Sequence, residues 1–496
     1  MLFIGKGTFM AQHGVPGQGD LGPAHPEGPS HSAATAAMLA GAAALGGFLF
    51  GYDSSVINGA VDAIKAQFGL NPVVVGLVVS SALLGCAAGA WFAGPLADRI
   101  GRVRVMLIAS ILFMVSSLGS ALAFNAWDLT FWRLVGGLAI GAASVIAPAY
   151  IAEIAPAELR GRLGSLQQMA IVLGIFAALV VDYVIARASE GGASGQFPWG
   201  GTAWRWMFAS AIVPAVMYGV IATTIPESPR YLVKKHQPAK ARAVLARVMG
   251  HGDVDLKIRE IGRSLARDRP VHLRDLRGHR LGLLPIVWVG ILLSVFQQFV
   301  GINVIFYYSS SLWQAVGFSE NDAMLTSVIN SVVNVLATLL AIALVDKIGR
   351  RPLLLAGAAG MTVTLGIMTI CFATAPVVNG EPVLGGAAGP VALVAANVYV
   401  LSFAATWGPV VWVMLGEMFN NFIRASALAV AAAAQWIANW LITTTFPGIS
   451  GVSLGLAYGM YTVFAALAFI FVMRAVPETK GRELEDMDQL ATPART

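Results

Sequence analysis

The sequence predicts an all-α integral membrane protein with twelve transmembrane helices in two six-helix halves and short cytoplasmic helices between them. Three observations carry this. Of 496 residues, 57% are hydrophobic and 12% charged, about half the charge of a soluble domain and too little to cover so long a chain in water. Twelve apolar runs each approach the ~20 residues a helix needs to cross a bilayer. The second half of the chain also repeats motifs of the first, in the same order.

The elements follow in chain order. Residues 1–35, rich in Gly, Pro and His, predict a disordered cytoplasmic tail. An N-terminal half over 36–228 holds spans at 36–60, 73–97, 103–124, 128–152, 165–187 and 204–225. An intracellular linker over 229–280 carries 14 basic residues, and its apolar stripes at 239–249 and 256–265 predict short surface helices. This linker reads either as a packing element or as a gating one. A C-terminal half over 281–476 holds spans at 281–309, 321–345, 352–374, 391–417, 423–446 and 452–475, and 477–496 forms a cytoplasmic tail. Runs without polar alternation read as helices, because backbone groups in hydrocarbon must be satisfied within their own segment.

Lys and Arg set the orientation. Of 32 such residues, Lys65, Arg187 and Arg205 fall in odd-numbered connections and Arg133 within a span; the other 28 lie in the tails or even-numbered connections. The positive-inside rule therefore predicts a multi-pass protein of the plasma membrane with both termini cytoplasmic. It also accounts for the net charge of +6 and removes nucleic acid as a partner. Cys86 and Cys371, both in apolar runs, exclude a disulfide framework and a Cys-based metal site.

The repeat is specific. Asp98-Arg-Ile-Gly-Arg102 returns as Asp346-Lys-Ile-Gly-Arg350; Glu153 and Arg160 return as Glu417 and Arg424; Pro226-Glu-Ser returns as Pro477-Glu-Thr. Parallel halves related by duplication, with a site between them at mid-membrane, are the architecture of a rocking transporter.

Ionisable residues inside spans are expensive and point to function. They are Asp53 in span 1, Arg133 in span 4 and Asp182 in span 5, while all seven His lie in the tail or the long loop. Asp53 and Arg133 both sit roughly 8–11 Å below the outer surface, level enough to pair. Two readings stand: a proton switch in which Arg133 holds Asp53 ionised until released, or a permanent ion pair that fixes packing. Asp182, nearer the outer edge, is expected to face water. A second group is uncharged: Gln167, Gln168, Gln297, Gln298, Asn303, Asn334, Gln435 and Asn439, with Phe50, Tyr307, Trp412 and Trp436 interleaved. Clustered amides with aromatics suit a polyhydroxylated ligand, although single amides also serve as glue between helices. Gly85, Gly89, Gly136, Gly137 and Gly141 predict close helix approach. Pro409 predicts a bend in span 10, read either as a gate beside Trp412 or as a static kink.

Enzyme chemistry finds no support. Gly451-Val-Ser-Leu-Gly455 matches a nucleophile elbow in form only, since it joins two spans with no His near it. There is no Walker A loop and no HExxH, so no catalytic residue, metal or cofactor is expected.

These motifs resemble the sugar porter family of the major facilitator superfamily, which includes bacterial sugar–proton symporters and facilitative glucose transporters. The matches run from about 36 to 488 and include Gly51-Tyr-Asp53, Gly94-Pro-Leu-Ala-Asp98, Pro148-Ala-Tyr-Ile-Ala-Glu153, Pro226-Glu-Ser-Pro-Arg230, Gln297-Gln-Phe-Val-Gly-Ile-Asn303, Tyr307-Tyr308 and Pro477-Glu-Thr-Lys-Gly-Arg482. The resemblance implies the major facilitator fold and sugar contacts at Gln168, Gln297, Gln298, Asn303, Asn334, Trp412, Gln435 and Trp436, with Phe50 and Tyr307 lining the site. It implies proton coupling through Asp53 and Arg133. It further implies a cytoplasmic gate of Asp98, Arg102, Glu153, Arg160, Asp346, Arg350, Glu417 and Arg424. Some symporters of the family carry a further acid in span 6, where this sequence has Ala211 and apolar neighbours. The expected function is monosaccharide transport, with D-glucose as the hexose and proton symport as the coupling; the alternatives are a facilitative uniporter or a sugar sensor.

Overall fold

The computed structural model describes residues 31–154, 160–249, 253–267, 276–278, 282–378, 381–419 and 423–480. Twelve helical segments are long and apolar enough to span a membrane. Residues 1–30 of the predicted 1–35 tail and the end of the chain beyond 480 lie outside these residues, while 31–35 are helical and open the first span.

The N-terminal half comprises α1 (His31–Phe68), α2 (Pro72–Ile100), α3 (Arg102–Leu122), α4 (Ala126–Ile154), α5 (Arg160–Ala188) and a sixth span made of α6 (Ala203–Ser210) and α7 (Ile212–Thr224). Three linker helices follow: α8 (Pro229–Lys234), α9 (Pro238–Met249) and α10 (Val254–Arg267). The C-terminal half comprises α11 (Pro285–Phe299) with α12 (Ile302–Gln314), α13 (Glu320–Ile348), α14 (Arg350–Ala373), α15 (Ala388–Ser402) with α16 (Gly408–Met418), α17 (Arg424–Val452) and α18 (Leu454–Ala475). A two-residue antiparallel pair, Val377–Val378 with Glu381–Pro382, lies between α14 and α15.

Local chemistry sets several ends. Asn71 caps α2 by accepting from Val74 N–H at 3.0 Å, with Pro72 at the first helical position. Ser453, the residue of the apparent elbow, caps α18 by accepting from Leu456 N–H at 3.2 Å. Its role is structural.

Three spans are broken: spans 6 and 7, drawn as single helices from the sequence, and span 10, where Pro409 predicts a bend. Pro214 cannot donate to the Ser210 carbonyl, and span 6 divides at Ala211. Span 7 divides at Gly301, whose φ of 85° is left-handed and whose added Cβ would fall 2.7 Å from the Tyr461 ring. Ahead of Pro409, residues Phe403–Trp407 form a π-helical turn that divides span 10. Span 1 also begins earlier and ends later than predicted, because Asp62 and Lys65 hid its last two turns from a hydropathy reading.

Within the N-terminal half, α2 and α4 touch backbone to backbone. A Cβ on Gly85, Gly89, Gly137 or Gly141 would meet a carbonyl of the facing helix at 2.1–2.3 Å, as expected of small residues in membrane helices. The halves meet along α17 against α2 and α13 against α5.

Candidate ligand site between the two halves

The break at Gly301 builds the site. It places Gln297 and Gln298 at the end of α11 and Asn303 and Tyr307 at the start of α12 on one side of the C-terminal half. Gln297 is buried; its Nε2 donates to the carbonyls of Trp407 (2.9 Å) and Gly408 (3.2 Å), which the π-helical turn presents. Its Oε1 accepts from Gln435 Nε2 at 2.7 Å and Gln298 Nε2 at 3.4 Å, and Asn303 donates to Gln298 Oε1. Four predicted amides thus form one chain, anchored on backbone carbonyls, with Trp436 following Gln435 in α17. Trp436 meets Phe50 of the other half edge to face, with ring centroids 5.7 Å apart. Asn334 is buried in α13, Gln168 is half-buried in α5, and Trp412 is 43% exposed in α16. Among the described residues these three make no side-chain hydrogen bond to the amide chain.

Asp53 and Arg133 line one small cavity together with Phe50, Cys86 and Tyr307. The expected ion pair is not formed: no Asp53–Arg133 contact within 4 Å occurs among the described residues. Arg133 is buried, and its Nη2 donates to the Val79 carbonyl at 3.4 Å. Among the described residues its Nε and Nη1 have no partner, and the guanidinium stands 5.7 Å from the Phe208 ring. The depth argument misplaced Asp53, which lies 15 residues from the end of α1 rather than seven. Asp182 also corrects its reading. It is 1% exposed rather than facing water, wedged against Gly59 of α1, whose N–H donates to it at 3.3 Å.

On the face that carries the Arg-rich connections, hereafter the basic face, the repeat becomes two near-identical clusters. In the first, Arg102 Nη2 pairs with Glu153 at 2.9 Å, Nη1 pairs with Asp98 at 3.0 Å, and Ser228 donates to Glu153. Glu227 accepts from the N–H groups of Arg102 (2.9 Å) and Val103 (3.3 Å). In the second, Arg350 Nη2 pairs with Glu417 at 2.8 Å, Thr479 donates to Glu417 at 2.6 Å, and Glu478 accepts from the N–H groups of Arg350 (3.1 Å) and Arg351 (3.0 Å). Each turn passes through a glycine of matching φ, 102° at Gly101 and 104° at Gly349. Burial works against an ionised Glu478, but four N–H donors (Lys480, Arg350, Arg351 and Thr479) outweigh it and hold its carboxyl below the ordinary 4.5. Arg424 donates to the Phe419 carbonyl at 3.2 Å. The side chains of Arg160 and Asp346 lie outside the described residues. Glu227, Ser228, Glu478 and Thr479 were missing from the predicted gate, although the repeated Pro-Glu-Ser/Thr signalled them.

The opposite face carries a clasp between the halves that the sequence reading did not find. Asn58 accepts from Ser310 N–H at 2.9 Å, and its carbonyl accepts from Ser310 Oγ at 2.8 Å. Asp62 accepts from Ser311 (2.8 Å) and Gln314 (3.2 Å), Thr444 donates to Ser80 (2.7 Å), and Ala193 N–H donates to Glu320 (2.8 Å). On the basic face the ion pairs named above each stay within one half. The halves are therefore joined at one face, with a polar chain between them at mid-span, and this defines a two-bundle membrane transporter.

Comparison with known proteins fixes the group. The profile of the sugar (and other) transporter family matches residues 39–491. The chain is 57% identical over 451 residues to a glucose transport protein of Synechocystis sp. (91% of this chain, 96% of that protein). It is 38% identical over 487 residues to the D-xylose-proton symporter of Escherichia coli (91% and 94%). Among solved structures it resembles the inward-open conformation of the E. coli xylose transporter XylE, with a TM-score of 0.77 and 36% identity over 91% of this chain and 99% of that one. The chain belongs to the sugar porters of the major facilitator superfamily.

Proposed function

We propose that this protein carries a neutral monosaccharide, D-glucose among the hexoses, across the plasma membrane by alternating access, and that a proton moves with it. The observation that carries the sugar assignment is the Gln297–Gln298–Asn303–Gln435 chain, with Trp436 following Gln435 in α17. Its unused donors and acceptors match the alternating hydroxyls of a sugar ring, and the indole offers an apolar face to the ring C–H groups. Gln168, Asn334, Tyr307 and Trp412 complete the site when the halves close around the ligand. The names of the Synechocystis and E. coli relatives support glucose and a proton-coupled cycle.

In the cycle, Asp53 takes up the proton and Arg133 answers its charge. The two share a cavity without being locked together, which suits a pair that changes partners. With both termini cytoplasmic by the positive-inside rule, the basic face is the inner one and the conformation faces inward. The charge clusters, including Arg160 and Asp346, latch the halves to one another when the protein opens outward. The units 36–228 and 281–476 rock about the site, joined by the linker at 229–280. The second reading, a uniporter, draws on Ala211 standing in span 6 without an acid near it. Counterflow of labelled D-glucose in proteoliposomes tests the substrate assignment. Trans-acceleration by unlabelled glucose, reduced by other hexoses, supports it; glucose binding with no labelled uptake overturns it and leaves a sensor.

A further inference from the structure

The two halves have equivalent clusters on the basic face, but their free charges differ. Down α3, Ile108, Ile111, Val115, Leu118 and Leu122 recur every three or four residues and are exposed, the stripe of a helix turned to lipid. Arg104 continues that stripe at its basic-face end and is exposed. On α2, exposed Trp91, Phe92 and Leu96 lead in the same way to exposed Arg99. Tyr231 of the linker helix α8 docks on the turn that joins these two helices: its hydroxyl donates to the Arg99 carbonyl at 3.3 Å, and Lys235 Nζ stands 5.7 Å from its ring. Among the described residues, Arg99, Arg104 and Lys235 have no acidic partner, and neighbouring Asp98 is already paired with Arg102 and Lys234.

The duplication supplies an internal control. At the position matching Arg104 the C-terminal half has Pro352, and Lys347 matches Arg99. There Lys480 Nζ occupies the place of the Tyr231 hydroxyl, donating to the Lys347 carbonyl at 2.6 Å, while Arg351 Nη2 donates to the Met473 carbonyl at 2.6 Å. The C-terminal half thus engages Lys480 and Arg351 with carbonyls and has no cation at the position of Arg104, whereas the N-terminal half sets Arg104 at the lipid edge beside Arg99. A rule that only counts positive charge on the inner side does not distinguish these arrangements.

We propose that Arg99, Arg104 and Lys235 form a site for the phosphate headgroup of an anionic phospholipid. The acyl chains lie along the exposed α2 and α3 stripes, and the phosphate accepts from the two guanidinium groups. The inference goes beyond sugar transport and does not depend on it. The purified full-length protein is titrated with short-chain phosphatidylglycerol, with phosphatidylcholine of equal chain length and with glycerol phosphate, and binding is read by native mass spectrometry. The expected result is one phosphatidylglycerol bound roughly tenfold better than phosphatidylcholine. The preference is lost in Arg99→Gln/Arg104→Gln/Lys235→Gln, kept in Lys347→Gln, and not displaced by glycerol phosphate. Arg104→Glu alone gives the same loss if the triple variant does not fold. No preference in the wild type, a preference that survives these substitutions, an equal loss in Lys347→Gln, or displacement by glycerol phosphate would each overturn the assignment.

Discussion

Besides its hydrogen bonds, the closed opposite face includes one backbone contact that can be perturbed with a single methyl group. Gly76 of α2 lies against the Thr444 carbonyl of α17, across the two halves; a Cβ built on Gly76 falls 2.1 Å from that oxygen. Real Cβ contacts essentially never fall below 3.0 Å, so the halves must part by at least about 0.9 Å in Gly76→Ala. Overpacking of this kind costs about 1–3 kcal/mol, which shifts the closed-to-open equilibrium by roughly 5- to 150-fold. The reporter is Ser310→Cys in a background with Cys86 and Cys371 replaced by Ser. Ser310 is buried and held by Asn58 only while that face is shut. Adding Gly76→Ala should accelerate modification by an impermeant thiol reagent within that range. Gly94→Ala in the same helix, where a Cβ meets nothing within 4 Å, should leave the rate unchanged. Equal rates in the Gly76→Ala and Gly94→Ala proteins would refute the argument that this contact holds the face shut.

Replacing Gln297 by Leu strands the Gln435 amide and the Trp407 and Gly408 carbonyls. Glucose binding should weaken by about 10- to 100-fold, measured by equilibrium dialysis. Ser453→Ala removes the α18 cap; thermal stability should fall by about 0.5–2 kcal/mol while the initial rate of sugar uptake stays at the parent value. Glu478 is held below its ordinary 4.5 in the folded protein, so its contribution is fully present above that value and lost as pH falls through the lower folded value. Between pH 5 and 3 the melting temperature of the parent should therefore decline more steeply than that of Glu478→Gln. Parallel curves would remove the role given to the four N–H donors around Glu478.

Much of the fold was legible because hydropathy and the lipid constraint act on long segments. The repeat was legible in more detail than the spans: three short motifs foreshadowed two clusters that share their Arg–Glu pair and the Ser228 and Thr479 hydroxyls on Glu153 and Glu417. What hydropathy does not register is a break in the backbone. Gly301 reads as one more small residue until Tyr461 is seen packed where a Cβ would stand. Pro409 announces a bend in span 10, but not that it takes the form of a π-helical turn whose carbonyls meet Gln297. The clasp was hidden for another reason. Asn58 and Ser310 lie 252 residues apart, and only the relative register of two bundles brings them together. Asp53 and Arg133 were found by type, since charges in spans are rare. They line one cavity, so they are level as read even though the end of α1 was set eight residues too early; what the sequence does not give is the side-chain placement that keeps them from pairing.

The central claim, a sugar cycle driven by a proton on Asp53, is tested most directly by uptake of labelled glucose into proteoliposomes with and without an inward proton gradient, for the parent and Asp53→Asn. The account predicts accumulation above the outside concentration only with the gradient, abolished in Asp53→Asn while sugar exchange persists. Uptake that merely equilibrates in the parent and ignores the gradient would contradict it, making the protein a uniporter and Asp53 a residue of packing alone.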